Sequence, residues 1–249
     1  MVETVLEAQS LTREFGGLVA VDDISVSFGE GSIHAVIGPN GAGKTTLFNL
    51  MTGGLSPTAG TIMFRGQDIT RSSPDEIVDL GLARSFQISE LLEGLTALEN
   101  VRTGVLSGGE TGNLWRSIDD YEDVNERSRR ILARMGLSDV SESPARDLSH
   151  GERRMLDIGV ALATEPDMLL LDEPAAGLSP EETTGVIGLI GDLAESFPVV
   201  LTEHKMSVVR QLADHIVVMN NGRVIADGKP KDVRANEEVK RAYLGDRKL

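Results

Sequence analysis

A chain of 249 residues, 40 % apolar and 25 % charged, is long enough to bury one large core, and that composition excludes wholesale disorder. Thirty-nine acidic against 24 basic residues give a net charge of −15, which opposes broad, sequence-independent nucleic-acid binding yet leaves room for one locally held phosphate. With no cysteine, disulfides and thiolate metal sites are excluded.

The N-terminus, MVETVLEAQS, is acidic and lacks the basic start and apolar centre of a signal peptide. The apolar runs, such as Met168 to Leu171 and Ile216 to Met219, fall far short of the roughly 18 residues that a membrane span needs. The expectation is a soluble, cytoplasmic protein whose membrane role, if it has one, comes through a partner.

In chain order, Val21, Ile24, Val26 and Phe28, then Ile33, Ala35 and Ile37, read as two strands joined by the turn Gly29-Glu30-Gly31. The second strand runs into Gly38-Pro39-Asn40-Gly41-Ala42-Gly43-Lys44-Thr45-Thr46, and a helix should follow with Leu47, Leu50 and Met51 inward and Gly53-Gly54 at its end. This is the Gly-x-x-x-x-Gly-Lys-Thr phosphate-binding loop in its strand–loop–helix setting. Its glycines let backbone N–H groups crowd around the β- and γ-phosphates, Lys44 adds a mobile positive charge, and the Thr45 hydroxyl suits Mg²⁺.

Ser73-Pro74-Asp75-Glu76 opens another helix, with proline at its first position. From about 88 to 163 the texture turns helical. Thr96 and Glu99 form a capping box, Ser107 to Asn113 reads as a surface loop, and a helix from about Trp115 to Met135 stops at Gly136. Leu148-Ser149-His150-Gly151-Glu152 precedes an amphipathic helix. Taken alone it is a second capping box, and a capped helix start also offers free N–H groups to a phosphate.

After Thr164 the α/β alternation returns. Met168 to Leu171 is a buried strand ending in Asp172-Glu173-Pro174, which places two carboxylates at the edge where open α/β sheets bind ligands. Asp172 suits water-mediated Mg²⁺ binding, and Glu173 suits a general base that polarises the attacking water. A helix opened by Ser179-Pro180-Glu181-Glu182, the strand Val199 to Thr202, a short helix near Ser207 to Ala213, and the strand Ile216 to Met219 with its turn at Asn221-Gly222 complete the series.

Together these motifs resemble the nucleotide-binding subunit of ATP-binding cassette (ABC) transporters, over essentially the whole chain. The resemblance implies an α/β fold: a P-loop NTPase core over 1–87 and 164–249, an N-terminal antiparallel β-subdomain and a helical insert over about 88–163, as one ABC ATPase domain. It also implies ATP and Mg²⁺ as ligands. Phe15 matches the aromatic that stacks on adenine, although by itself it reads as a buried strand residue. Gln87 matches the glutamine that contacts Mg²⁺ and couples to the membrane subunit, and His204 the switch histidine that senses the γ-phosphate. Ser149, His150, Gly151 and Glu152 match the element that reaches the ATP of a partner subunit. His150, Glu152 and Ser179 depart from the usual glycine, glutamine and aspartate.

Phe15 to Val21, Arg84-Ser85-Phe86-Gln87, Asp172 to Leu178, Glu203-His204-Lys205-Met206 and Ala242-Tyr243-Leu244-Gly245 look like the branched-chain amino acid importers. Urea and short-amide carriers share much of this, and lipopolysaccharide-export ATPases end similarly. The partners implied are a second ATPase subunit, membrane permeases and, indirectly, an extracytoplasmic solute-binding protein, with no nucleic acid. The chain would then sit on the inner face of the cell membrane. Non-transport cassettes typically carry long coiled coils, zinc modules or a second cassette, which this chain lacks. P-loop kinases and GTPases lack an element like Leu148 to Glu152.

Overall fold

A computed structural model describes residues 3–85, 91–107 and 121–244 of the chain. Two sheets form its frame. The first is antiparallel, in the order β2-β1-β4-β5, built from β1 (Thr4–Phe15), β2 (Leu18–Gly29), β4 (Ala59–Phe64) and β5 (Gln67–Asp68). The second contains β3 (Ile33–Ile37), β6 (Leu82–Ser85), β7 (Met168–Asp172), β8 (Val199–Thr202), β9 (His215–Asn220) and β10 (Arg223–Gly228). Its order is β10-β9-β3-β8-β7-β6, parallel throughout except for the β9–β10 hairpin.

Side-chain alternation between two covered faces explains why the central strands β3, β7 and β8 are buried at every residue and mostly apolar. In β7, Leu169 and Leu171 join one apolar cluster and Met168 and Leu170 another, and all four are fully buried. One face of the parallel sheet packs against α3 (Ala97–Ser107), α4 (Glu122–Arg134), α5 (His150–Ala163), α6 (Pro180–Ala194) and α7 (Met206–Leu212). The other packs against α1 (Lys44–Met51) and the antiparallel sheet. The short helices α2 (Pro74–Asp79), α8 (Pro230–Ala235) and α9 (Glu237–Leu244) complete the described chain.

The starts of these helices follow from their caps. Ser73, Ser149 and Ser179 each accept a hydrogen bond from the N–H three residues on, and the carboxylates of Glu76, Glu152 and Glu182 accept one from the cap's own N–H. Thr96 and Glu99 do the same before α3. The Asn221-Gly222 turn has positive φ at both residues, the twist that a tight hairpin requires, and so pairs β9 with β10, a strand that periodicity alone does not mark.

Three expectations change at their edges. The helix expected from Trp115 is seen as Glu122–Arg134, with 115–120 outside the described residues. Ser107, expected in a loop, is the last residue of α3 and its hydroxyl donates to the Gly104 carbonyl; 108–113 lie outside the described residues. Phe15 is 42 % exposed rather than buried, because it pairs with Leu18 at the tip of the β1–β2 hairpin. No helix among the described residues is long and apolar enough to cross a membrane.

Candidate active site

β3 ends at Ile37 and the chain wraps through 38–43 before α1 begins. Close packing dictates the glycines at both ends of this loop. A Cβ on Gly38 would lie 2.2 Å from the Met219 carbonyl oxygen, and one on Gly43 would lie 2.4 Å from that of Ala20. Gly43 is the N-cap of α1 at φ 100°, with no side-chain cap, so the first-turn N–H groups of α1 face the loop without a capping side chain. Lys44 is buried, and its Nζ donates to the carbonyls of Gly38 (2.7 Å) and Pro39 (3.2 Å). Burial lowers the Lys44 pKa from its ordinary value, partly offset by the charges of Glu173 and Asp172.

A cleft of about 550 Å³ opens here, walled by Phe15, Leu18, residues 40–46 and Glu173. Phe15 offers a half-exposed ring at its rim, with the Arg13 guanidinium 4.6 Å from the ring centroid. Gly41, Ala42, Gly43, Lys44, Thr45 and Thr46 form the floor, with Asn40 beside them.

Parallel pairing delivers the acids to the same edge. Asp172 pairs with Thr202, and Thr202 with Val36 just before the loop. Asp172 is 1 % exposed; Oδ1 accepts from the Thr202 hydroxyl (2.5 Å) and Oδ2 is ion-paired with Arg84 Nη2 (2.7 Å). Arg84, on β6, also donates to Asn49 Oδ1 of α1 at 2.6 Å, so one guanidinium ties three elements together. Glu173 adopts φ 49°, the left-handed region, at a cost of about 1–3 kcal/mol for a residue with a side chain. Its N–H is shared between the Thr202 carbonyl (3.1 Å) and hydroxyl (3.0 Å). The strained turn aims the carboxylate at His204, whose Nδ1 lies 3.6 Å from Glu173 Oε2.

Behind this pair, Glu203 is fully buried and accepts from the N–H groups of Ala175, His204 and Lys205, each at 3.0 Å. Lys205 Nζ donates to the Ala175 carbonyl at 2.6 Å. These bonds fix residues 173–178 against 202–205. The Thr45 hydroxyl and the Asp172 carboxylate are the hard oxygen donors that a small divalent cation takes.

Residues 149–152 do not line this cleft. Ser149 caps α5, with its N–H on Glu152 Oε2 (2.8 Å), and His150 Nε2 lies 3.2 Å from the Ala176 carbonyl oxygen. A Cβ on Gly151 would lie 2.2 Å from Glu182 Oε1, so a larger residue there has to displace the Glu182 side chain. Ser179 is the N-cap of α6, so its hydroxyl is engaged in the helix start. Gln87 lies outside the described residues. Thus the structure gathers Lys44, Thr45, Asp172, Glu173 and His204 at one edge and sets residues 149–152 elsewhere. The sequence reading gave no role to Arg84, Thr202 or Glu203; a charged residue next to the apolar pair Leu82-Ala83, Arg84 in β6, was the one available signal.

Comparison with known proteins adds a second line. The profile of the ABC transporter family matches residues 21–176, and that of the branched-chain amino acid ATP-binding cassette transporter matches residues 223–248. The high-affinity branched-chain amino acid transport ATP-binding protein BraF of Pseudomonas aeruginosa is 38 % identical over 99 % of this chain and all of its own length. LivG of Salmonella typhimurium, described in the same words, is 37 % identical over the same shares. A crystal structure of the ADP conformation of an ABC transporter ATP-binding cassette superposes with a TM-score of 0.86 at 32 % identity, covering 98 % of this chain and 99 % of that one.

Proposed function

This chain belongs to the ATP-binding subunits of ABC transporters, and from that premise we propose that two such subunits clamp two ATP molecules between them to power uptake of branched-chain amino acids. The chain is an ATPase of that family. What supports the solute is the match of residues 223–248 and the full-length likeness to LivG and BraF.

The observation that carries the two-subunit reading is the separation of residues 149–152 from the cleft of their own chain. A capped helix start with a glycine in its first turn is suited to a phosphate, and a second copy would bring one to it. In each site Phe15 stacks on the adenine, and Gly38, Pro39, Asn40, Gly41, Ala42, Gly43, Lys44, Thr45 and Thr46 hold the phosphates. Ser149, His150, Gly151 and Glu152 of the other chain close the site. Thr45, Gln87 and Asp172 would hold Mg²⁺, which when bound neutralises charge on the transferred phosphoryl group.

Glu173 accepts a proton from water as the water oxygen bonds to the γ-phosphorus; the bond to the β–γ bridging oxygen breaks and ADP leaves. His204, beside Glu173, orients that water and contacts the γ-phosphate. Permeases at the membrane receive the closure through the insert, residues 88–163, and the region of Gln87, while an extracytoplasmic receptor delivers the solute. The chain itself is peripheral on the cytoplasmic face.

Replacing Glu173 with Gln keeps the geometry and removes the base. ATP should then trap a stable dimer while turnover falls at least 100-fold, read by size-exclusion chromatography and phosphate release. Full turnover by E173Q would refute the assignment. For the solute, reconstitution with the chain's own permeases and receptor should give ATP-dependent leucine uptake; uptake of urea with none of leucine would overturn it.

A further inference from the structure

Arg154 lies on α5, one turn beyond the cap at Ser149, and only 6 % of it is exposed. Its guanidinium does not face solvent or the cleft. It donates to three successive backbone carbonyls: Asp172 at 2.9 Å and Glu173 through Nη2, and Pro174 at 3.2 Å through Nε. Asp157, one turn along the same helix, lies 3.7 Å from Nη1 and balances the buried charge. The three carbonyls belong to the turn in which Glu173 takes its left-handed backbone. The Thr202 carbonyl and hydroxyl oxygens accept from the N–H side of that turn, and Arg154 donates to its carbonyl side.

We infer that Arg154 is a positioning residue for Glu173: its planar fork holds the strained turn so that the carboxylate points at the attacking water. This rests on the reading of Glu173 as the base. A guanidinium suits the task because its donors are fixed in one plane and it stays protonated, whereas a lysine offers a single ammonium. The same fork joins the helix offered to the partner's nucleotide to the base of its own site, so movement of α5 moves the turn that carries Glu173.

The experiment is a steady-state comparison of wild type, R154K, R154M, E173Q and R154M/E173Q, with KM for ATP and the thermal midpoint recorded for each. R154M should lower kcat about 100-fold, the scale of a misplacement near 1 Å, while KM stays within about twofold. R154K should recover about tenfold of that loss. In the E173Q background R154M should change the residual rate less than twofold, because a residue acting through Glu173 has nothing left to position. R154M removes the cation 3.7 Å from buried Asp157; if it does not fold, R154K and R154K/E173Q carry the test, R154K losing about tenfold in kcat. ATP affinity falling in step with kcat, or an R154M effect on E173Q as large as on wild type, overturns the role of Arg154 and leaves the base standing. Full turnover by E173Q removes the base, and the positioning role with it.

Discussion

At the scale of single residues, the polar atoms buried here divide into those that serve the cleft and those that serve only the fold. Lys44 belongs to the first kind. Its ammonium is held by the carbonyls of its own loop, so Lys44→Ala should leave the core intact and abolish phosphate binding. ATP affinity measured by calorimetry should fall at least 100-fold with little change in thermal midpoint. Normal affinity in that variant would contradict the loop's assignment. His34 belongs to the second kind. It is buried at the opposite end of β3, with Ser32 Oγ 2.7 Å from Nε2 and, among the described residues, no hydrogen-bond partner at Nδ1, and desolvation, with the nearby His215, pushes its pKa down to about 4 against the pull of Asp227 and Asp214. The unfolded chain therefore binds a proton at this position near pH 6.5 that the folded chain refuses until about pH 4. The contribution is complete above pH 6.5 and is lost as pH falls toward 4, by about 3 kcal/mol in all. Denaturant titrations between pH 4 and 7 should show this slope in wild type and a flatter one in His34→Gln. Equal slopes would show that His34 titrates normally.

At the scale of elements, the helix caps give a test that separates structure from catalysis. Ser179→Ala removes a cap and should cost about 1 kcal/mol, whereas Ser179→Asp keeps an acceptor at the N-cap and should cost only a few tenths. Thermal midpoints check the order, and a Ser179→Asp variant as unstable as Ser179→Ala would contradict it. Local features of this kind were legible in the sequence. The phosphate loop, the helix starts at Ser73, Thr96, Ser149 and Ser179, the β7 strand with its terminal acids and the Asn221-Gly222 turn each lie within a few consecutive residues. What sequence reading missed is long-range. Nothing local couples Arg84 to Asp172, 88 residues on, or Glu203 to the N–H of Ala175, 28 residues back. Arg154 was closest to visible: it shares the inward face of α5 with Asp157, Ile158 and Ala161, and two charges on a buried stripe signal a partner that the stripe itself cannot supply. Phe15 misled in the other direction, since an aromatic at a strand's end reads as core until the hairpin beside it is known.

At the scale of the whole molecule, the parallel sheet acts as a bracket. It presents the phosphate loop, both acids and His204 at one edge, while one continuous apolar cluster joins the helical insert to the sheet's face. The half of the site that would cover the γ-phosphate starts at Ser149 and does not line the cleft. On the proposed reading such a chain carries its own base and phosphate loop but an open wall, which a second chain would supply. The most direct measurement is the specific ATPase activity of the full chain across dilution, with sedimentation followed in the same samples. If the wall comes from another chain, activity per chain falls as the dimer dissociates, and Gly151→Arg lowers it at every concentration. Activity per chain that stays constant down to dilutions where only monomer sediments, unaffected by Gly151→Arg, would contradict the two-chain site.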